Sequence, residues 1–186
     1  MDRDGRVVER AFEQNYQERS TAAGLLARLG AAVAPARPAE VAGGQVRVRT
    51  GVSDATAAPG EKITLILDAT PGEKMHVYAP GEEGYISVEL TLADSPDFKA
   101  GAPRFPPSGT YYFAPLDETV RVYDAPFRVT QEITLGLSRE LRQRAAARET
   151  MTILGQFRYQ ACDDAVCYRP ETLPVSWTVE LRPFAR

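Results

Sequence analysis

The chain has little of what most often marks chemistry. Among its 186 residues there are two cysteines and a single histidine, so neither paired zinc knuckles nor a multi-histidine metal centre can be built from it. It has no positive excess. Lys and Arg number 22 against 25 Asp and Glu, a net charge of −3, and no basic run interrupts the chain, which argues against a nucleic-acid partner. No apolar stretch approaches the roughly 20 residues of a membrane-spanning helix. The N-terminus, Met1-Asp2-Arg3-Asp4-Gly5-Arg6, is charged where a signal peptide turns hydrophobic. No internal repeat and no cofactor-binding motif is read. Length is not lacking, because a chain of this size buries a real core and does not need a disulfide in order to fold.

What is present begins with Asp2-Arg3-Asp4-Gly5-Arg6-Val7-Val8, which reads as a tight turn feeding a strand, followed by a polar helical stretch. Ser20 or Thr21 is placed to cap a short helix with Leu25, Leu26 and Leu29 on one side and Gly30 just past its end. Residues 31–44 are rich in Ala, Pro and Gly without periodicity and read as a linker at a domain boundary. Residues 1–30 then form an N-terminal appendage, with a helix docked on the main domain as one reading of it.

From Gln45 the pattern changes to period two. Val46 and Val48, then Ile63, Leu65 and Leu67, then Ile86, Val88, Leu90 and Leu92 alternate with their neighbours. Ala58-Pro59-Gly60, Thr70-Pro71-Gly72 and Ala79-Pro80-Gly81 lie between as turn signals. Further runs follow at Tyr111 to Phe113, Phe127 to Leu135, Met151 to Tyr159 and Val175 to Leu181, with one helical candidate at Ser138 to Glu149. Seven or more short strands over residues 45–186 predict an all-β fold, an immunoglobulin-like antiparallel sandwich, with Trp177 in its core.

Both cysteines fall in Tyr159-Gln160-Ala161-Cys162-Asp163-Asp164-Ala165-Val166-Cys167-Tyr168-Arg169-Pro170-Glu171-Thr172, where two alternating segments meet. On adjacent antiparallel strands opposed Cα atoms lie roughly 4.5 to 5.5 Å apart, within the roughly 4.4 to 6.8 Å that a disulfide tolerates. Such a disulfide is a poor staple. Closing about six residues stabilises by about 2 kcal/mol, against about 4.7 kcal/mol for a hundred-residue loop. Alternation puts Met151, Ile153, Phe157, Tyr159 and Ala161 on one face and Cys162 on the other, pointing away from the core. Spacing alone leaves several readings open: a local disulfide without functional consequence, two free thiols, a metal site completed by Asp163, Asp164 and His76, or a redox pair.

The motif itself narrows them. Aromatic-Gln-small-Cys, a short acidic loop, Cys-aromatic and then Pro-Glu-Thr resembles the N-terminal extracytoplasmic domain of the thiol:disulfide interchange protein DsbD and its relatives. The similarity extends more loosely over residues 45–182: His76-Val77-Tyr78-Ala79-Pro80-Gly81 followed by Gly84-Tyr85-Ile86 matches an early strand of that family, and Asp117-Glu118 with Val122-Tyr123 matches its cap loop. Residues 1–30 resemble the tail end of a redoxin domain, thioredoxin-like or peroxiredoxin-like, which makes a fragment of a longer polypeptide one expectation.

The resemblance implies an immunoglobulin-like fold in which Cys162 and Cys167 cycle between dithiol and disulfide, exchanging electrons with a thioredoxin-like or redoxin partner in an extracytoplasmic, periplasmic setting. It implies that His76, Tyr78 and Tyr168 line the site and that Asp117 and Glu118 belong to a shielding loop. Two departures stand out. The family's best-known members have one more residue between the cysteines and an aromatic directly after the acidic pair, where this chain has Thr119; Phe113 and Tyr123 are the candidate substitutes. Asp163 and Asp164 disfavour a thiolate on either cysteine, Arg158 and Arg169 oppose that effect, and the pair is expected to be attacked more readily than it attacks. His76 has two readings, a packed side chain or a group that stabilises or protonates a leaving thiolate. The competing function, from another class, is a non-redox immunoglobulin-like interaction module with a structural disulfide.

Overall fold

The structure is a computed structural model and describes residues 6–7, 18–31, 33–113 and 117–184. In chain order its elements are β1 (Arg19–Ser20), α1 (Ala22–Arg28), β2 (Ala36–Ala42), β3 (Val46–Val52), β4 (Thr56–Ala57), β5 (Glu61–Pro71), β6 (His76–Tyr78) and β7 (Glu89–Leu92). There follow β8 (Phe98–Ala100), β9 (Gly109–Phe113), β10 (Glu118–Tyr123), β11 (Phe127–Leu135), α2 (Arg139–Ala146), β12 (Thr150–Tyr159), β13 (Ala161–Cys162) and β14 (Glu171–Leu181). One sheet runs β2-β3-β5-β11-β8, with β1 beside β5, and the facing sheet runs β4-β14-β12-β7.

Period-two sequence explains why these two sheets stack. Val48, Leu65, Leu67, Val129 and Ile133 on the first and Ile153, Phe157, Val175, Trp177 and Val179 on the second point inward and form one buried cluster. Each such side chain contributes roughly 1.5 to 3 kcal/mol on burial. The Trp177 indole N–H donates to the Ile66 carbonyl at 2.9 Å, so the tryptophan crosses between the layers with its polar end satisfied. This is the expected immunoglobulin-like sandwich.

Both helices follow their sequence signals. Thr21 caps α1, its hydroxyl accepting from the Gly24 N–H at 3.0 Å, and Gly30 takes a φ of 79° just beyond the helix end. The Thr64 hydroxyl donates to the Gly24 carbonyl at 3.0 Å and Arg28 pairs with Glu132 at 2.6 Å, so α1 is docked on β5 and β11. Ser138 caps α2 in the same way. The turn expected at Asp2 to Val8 and the polar stretch after it fall, apart from Arg6 and Val7, outside the described residues.

Residues 31–44 differ from the linker reading in their local structure, since 36–42 form the edge strand β2 against β3. The strand is almost wholly exposed and contains Pro38 at a register shift, with Arg37 at a φ of 49°. An edge position tolerates a missing N–H, and an exposed strand needs no apolar alternation, so the sequence carried no strand signal there.

A third, smaller sheet, β13-β6-β10-β9, hangs off one end of the sandwich. The chain passes from the β12 sheet to the small sheet at Gln160, between β12 and β13, and the Gln160 side-chain amide donates to the Tyr168 carbonyl at 3.0 Å, tying the outgoing and returning segments together. Ala161 still joins the main core, whereas Cys162 joins a second buried cluster with Tyr78, Val120 and Val122. Alternation therefore carries Cys162 away from the main core, as expected, but not to solvent, because the small sheet supplies a second covered face.

Candidate functional site

Cys162 and Cys167 are joined by a disulfide with an S–S length of 2.08 Å and a Cα–Cα distance of 4.0 Å. The two residues form an antiparallel bridge, closed by a turn that Asp163 organises. Its N–H donates to the Val166 carbonyl at 3.0 Å, and its carboxylate accepts from the N–H groups of Ala165 at 2.8 Å and Val166 at 2.7 Å. Those amides, Ala165 foremost, hold the Asp163 carboxyl below its ordinary pKa. Beyond the bridge the Tyr168 N–H donates to the Ala161 carbonyl at 2.9 Å. The two halves of the disulfide are unequal: Cys162 is buried at 1% relative exposure, whereas Cys167 is exposed.

Strand β6 runs antiparallel beside β13 and sets His76 directly opposite Cys162. Alternation then brings Tyr78 to the same face. Its hydroxyl lies 3.4 Å from Cys162 Sγ and 3.6 Å from Cys167 Sγ. Neither sulfur of a disulfide carries a hydrogen, so the phenol is the donor. Burial, with a smaller push from Glu118, raises the Tyr78 pKa, and the group keeps its proton through the neutral range.

Around this centre the phenols are paired with carboxylates. Tyr85 stacks on Tyr78, ring centroids 4.2 Å apart, and donates to Glu118 at 2.6 Å, which pushes its pKa up to about 12. Tyr111 stacks on His76 at 4.5 Å and donates to Asp164 at 2.7 Å. Tyr168 donates to Asp163 at 3.2 Å and Tyr112 to Asp117 at 2.9 Å. Between β9, β10, β6 and the cysteine turn lies a cleft of about 180 Å³, with His76, Tyr78, Phe113 and both cysteines in its wall. No three potential metal-ligating side chains converge among the described residues.

A family described as thiol:disulfide interchange protein DsbD, N-terminal, matches residues 49–177, well over half of the chain. The chain belongs to this family. Among solved structures it is similar to the N-terminal periplasmic domain of ScsB from Proteus mirabilis, with a TM-score of 0.53 at 15% identity over 81% of this chain, a likeness of fold. The chain spans about half the length of that structure, 53% of it. The DsbD N-terminal domain of Neisseria meningitidis in its reduced form is also found, with a TM-score of 0.34, 14% identity and coverage of 63% of this chain and 82% of that one. No curated protein matches significantly.

Set against the DsbD N-terminal resemblance, the structure gathers some of the expected residues and leaves others aside. Cys162, Cys167, His76 and Tyr78 line one cleft. Tyr168 braces the turn from outside it, Glu118 reaches the site through Tyr85, and Asp117 is engaged with Tyr112 rather than with the cleft. Of the two candidate aromatic substitutes, Phe113 lines the cleft, while Tyr123 is stacked on Phe127 and donates to the Pro106 carbonyl. Arg158 and Arg169 are exposed and outside the cleft wall. Sequence reasoning assigned no role to Tyr85 or Tyr111. The only signal for them was the density of tyrosine on short segments facing acidic loops.

Proposed function

We propose that this DsbD N-terminal family member is a thiol-disulfide exchange module, passing electrons through Cys162 and Cys167 to or from a thioredoxin-like partner in an extracytoplasmic compartment. One observation carries the reading: Cys167 is exposed at the rim of the cleft, while Cys162 is buried with the Tyr78 hydroxyl within 3.6 Å of both sulfurs. Exchange requires a thiolate to reach one sulfur of the disulfide, and only Cys167 offers that access. The partner sulfur bonds to Cys167 Sγ, the Cys162–Cys167 bond breaks, and its electron pair stays on Cys162 Sγ, where the Tyr78 O–H donates to the developing charge. A second partner thiolate then attacks the partner's own sulfur in the mixed disulfide. Cys167 leaves reduced, and the partner holds the new disulfide. The reverse sequence oxidises the pair.

Among the described residues neither α1 nor α2 begins at the cysteine turn, so neither helix N-terminus favours a thiolate there. That suits a site attacked more readily than it attacks. The test is trapping. Cys162→Ser, mixed with a thioredoxin-like protein carrying one cysteine activated by thionitrobenzoate, should form a mixed disulfide through Cys167 quickly. Cys167→Ser should form it far more slowly. Equal trapping by both, or by neither, would sink the proposal.

A further inference from the structure

His76 is a buried base in the cleft wall that the exchange reading leaves unused. The residue is 5% exposed and stands directly across the β6–β13 ladder from Cys162, so the two side chains share a face with Cβ atoms roughly 4.5 to 5.5 Å apart. It is held by its rings, stacked on Tyr111 and edge-on to Tyr78 at 5.6 Å. It lies in the wall of the cleft that the cysteines line, and no hydrogen bond ties its ring to another described residue. A polar ring this deep, in the wall of a reaction cleft and without a hydrogen-bond partner among the described residues, is placed to meet an incoming group.

Resting on the exchange reading, we infer that His76 carries the proton of the exchange step, taking it from the incoming thiol and giving it to Cys162. The step balances. The neutral imidazole accepts the S–H proton of the incoming thiol, and the thiolate so formed bonds to Cys167 Sγ. The Cys162–Cys167 bond breaks with its electron pair on Cys162 Sγ, and the imidazolium returns the proton there. The net change is one thiol and one disulfide converted into a Cys162 thiol and a mixed disulfide on Cys167.

The surroundings suit a transient imidazolium. Asp163 and Asp164 on the cysteine turn and Asp124 beyond β10 all act to favour the charged ring, while burial, the larger effect, keeps it neutral at rest. Tyr78 on the same strand and Tyr111 on β9 hold their protons more tightly than usual and do not compete. The labour is divided: Tyr78 donates a hydrogen bond, and His76 moves the proton.

The test is the pH profile for reduction of the disulfide by a neutral small thiol, N-acetylcysteine amide, in the intact chain. Attack by pre-formed thiolate alone rises about tenfold per pH unit below an ordinary thiol pKa of about 8.5. With His76 carrying the proton, the wild-type rate should rise less than about threefold between pH 6.5 and 7.5, because neutral imidazole replaces thiolate as the limiting species. His76→Phe, which keeps the stack on Tyr111, and His76→Gln should both restore the tenfold rise. A tenfold rise in the wild type overturns the role of His76 and leaves the exchange reading standing. No reduction at any pH overturns both.

Discussion

Removing one oxygen atom tests how the buried sulfur is stabilised. Tyr78→Phe deletes the hydroxyl that lies 3.4 Å from Cys162 Sγ and 3.6 Å from Cys167 Sγ and keeps the ring that stacks on Tyr85. The sulfurs are the only partners of that hydroxyl among the described residues, so the fold should lose little. Chemistry should lose more. A hydrogen bond to a charged group is worth about 1.5 to 3 kcal/mol against about 0.5 to 1.5 kcal/mol for a neutral pair, so the thiolate of Cys162 loses about 1.5 kcal/mol relative to the disulfide. At 1.36 kcal/mol per pKa unit, the titration midpoint of Cys162 in a Cys167→Ser background should rise by about one unit. Only part of that charge has developed on the leaving sulfur in the transition state, so reduction by dithiothreitol should slow by about three- to tenfold at fixed pH. Stopped-flow reduction and thiolate absorbance measure the two quantities. An unchanged midpoint with a rate within twofold of wild type would refute the view that Tyr78 stabilises the leaving thiolate.

Three further outcomes follow from the same geometry. A Cβ added to Gly155 meets the Thr91 carbonyl oxygen at 2.7 Å and the Trp177 ring at 3.1 Å, so Gly155→Ala should destabilise the sandwich by about 1 to 3 kcal/mol in urea unfolding, and a neutral result would mean the β12 core face is looser than described. Asp163 titrates below its ordinary value of 3.8, so its hold on the cysteine turn is complete above that pH and is lost as pH falls through the depressed value. The amide resonances of Ala165 and Val166 should report that midpoint, and Asp163→Asn, still an acceptor, should abolish it; a midpoint at or above 3.8 would contradict the geometry. The Glu171 carboxylate accepts from the buried Tyr159 hydroxyl at 2.7 Å and the Gly44 N–H at 3.0 Å, so Glu171→Ala should lower stability by about 1 to 3 kcal/mol without altering the rate of disulfide reduction. A change in rate with no loss of stability would instead place Glu171 in the exchange chemistry.

Burial on one face imposes period two on β11, β12, β14 and the first half of β3, which made them legible, whereas β5 is buried on both faces from Ile63 to Leu67. Ser20 or Thr21 and Gly30 announced α1 through its caps, of which Thr21 is the one used, and α2 falls within the helical candidate at Ser138 to Glu149. Gly155 hid a structural demand, because it occupies a core-facing position where Trp177 leaves no room, and a glycine in a strand carries no sign of which neighbour excludes its side chain. The cysteines were found by their motif, but their inequality was not. Alternation along β12 and β13 says only that Cys162 leaves the main core, and the Tyr78, Val120 and Val122 cluster that covers it comes from strands of three and six residues, far away in sequence. Tyr85 and Tyr111 were missed for the same reason: their carboxylate partners, Glu118 and Asp164, lie 33 and 53 positions away in sequence.

The central claim is that Cys162 and Cys167 are chemistry rather than scaffolding, and the reduction potential of the pair in the intact chain measures it directly. Equilibration with a glutathione or dithiothreitol redox buffer should place it among exchange proteins, between roughly −270 and −120 mV. A potential below about −300 mV would make the bond a structural staple and contradict the account.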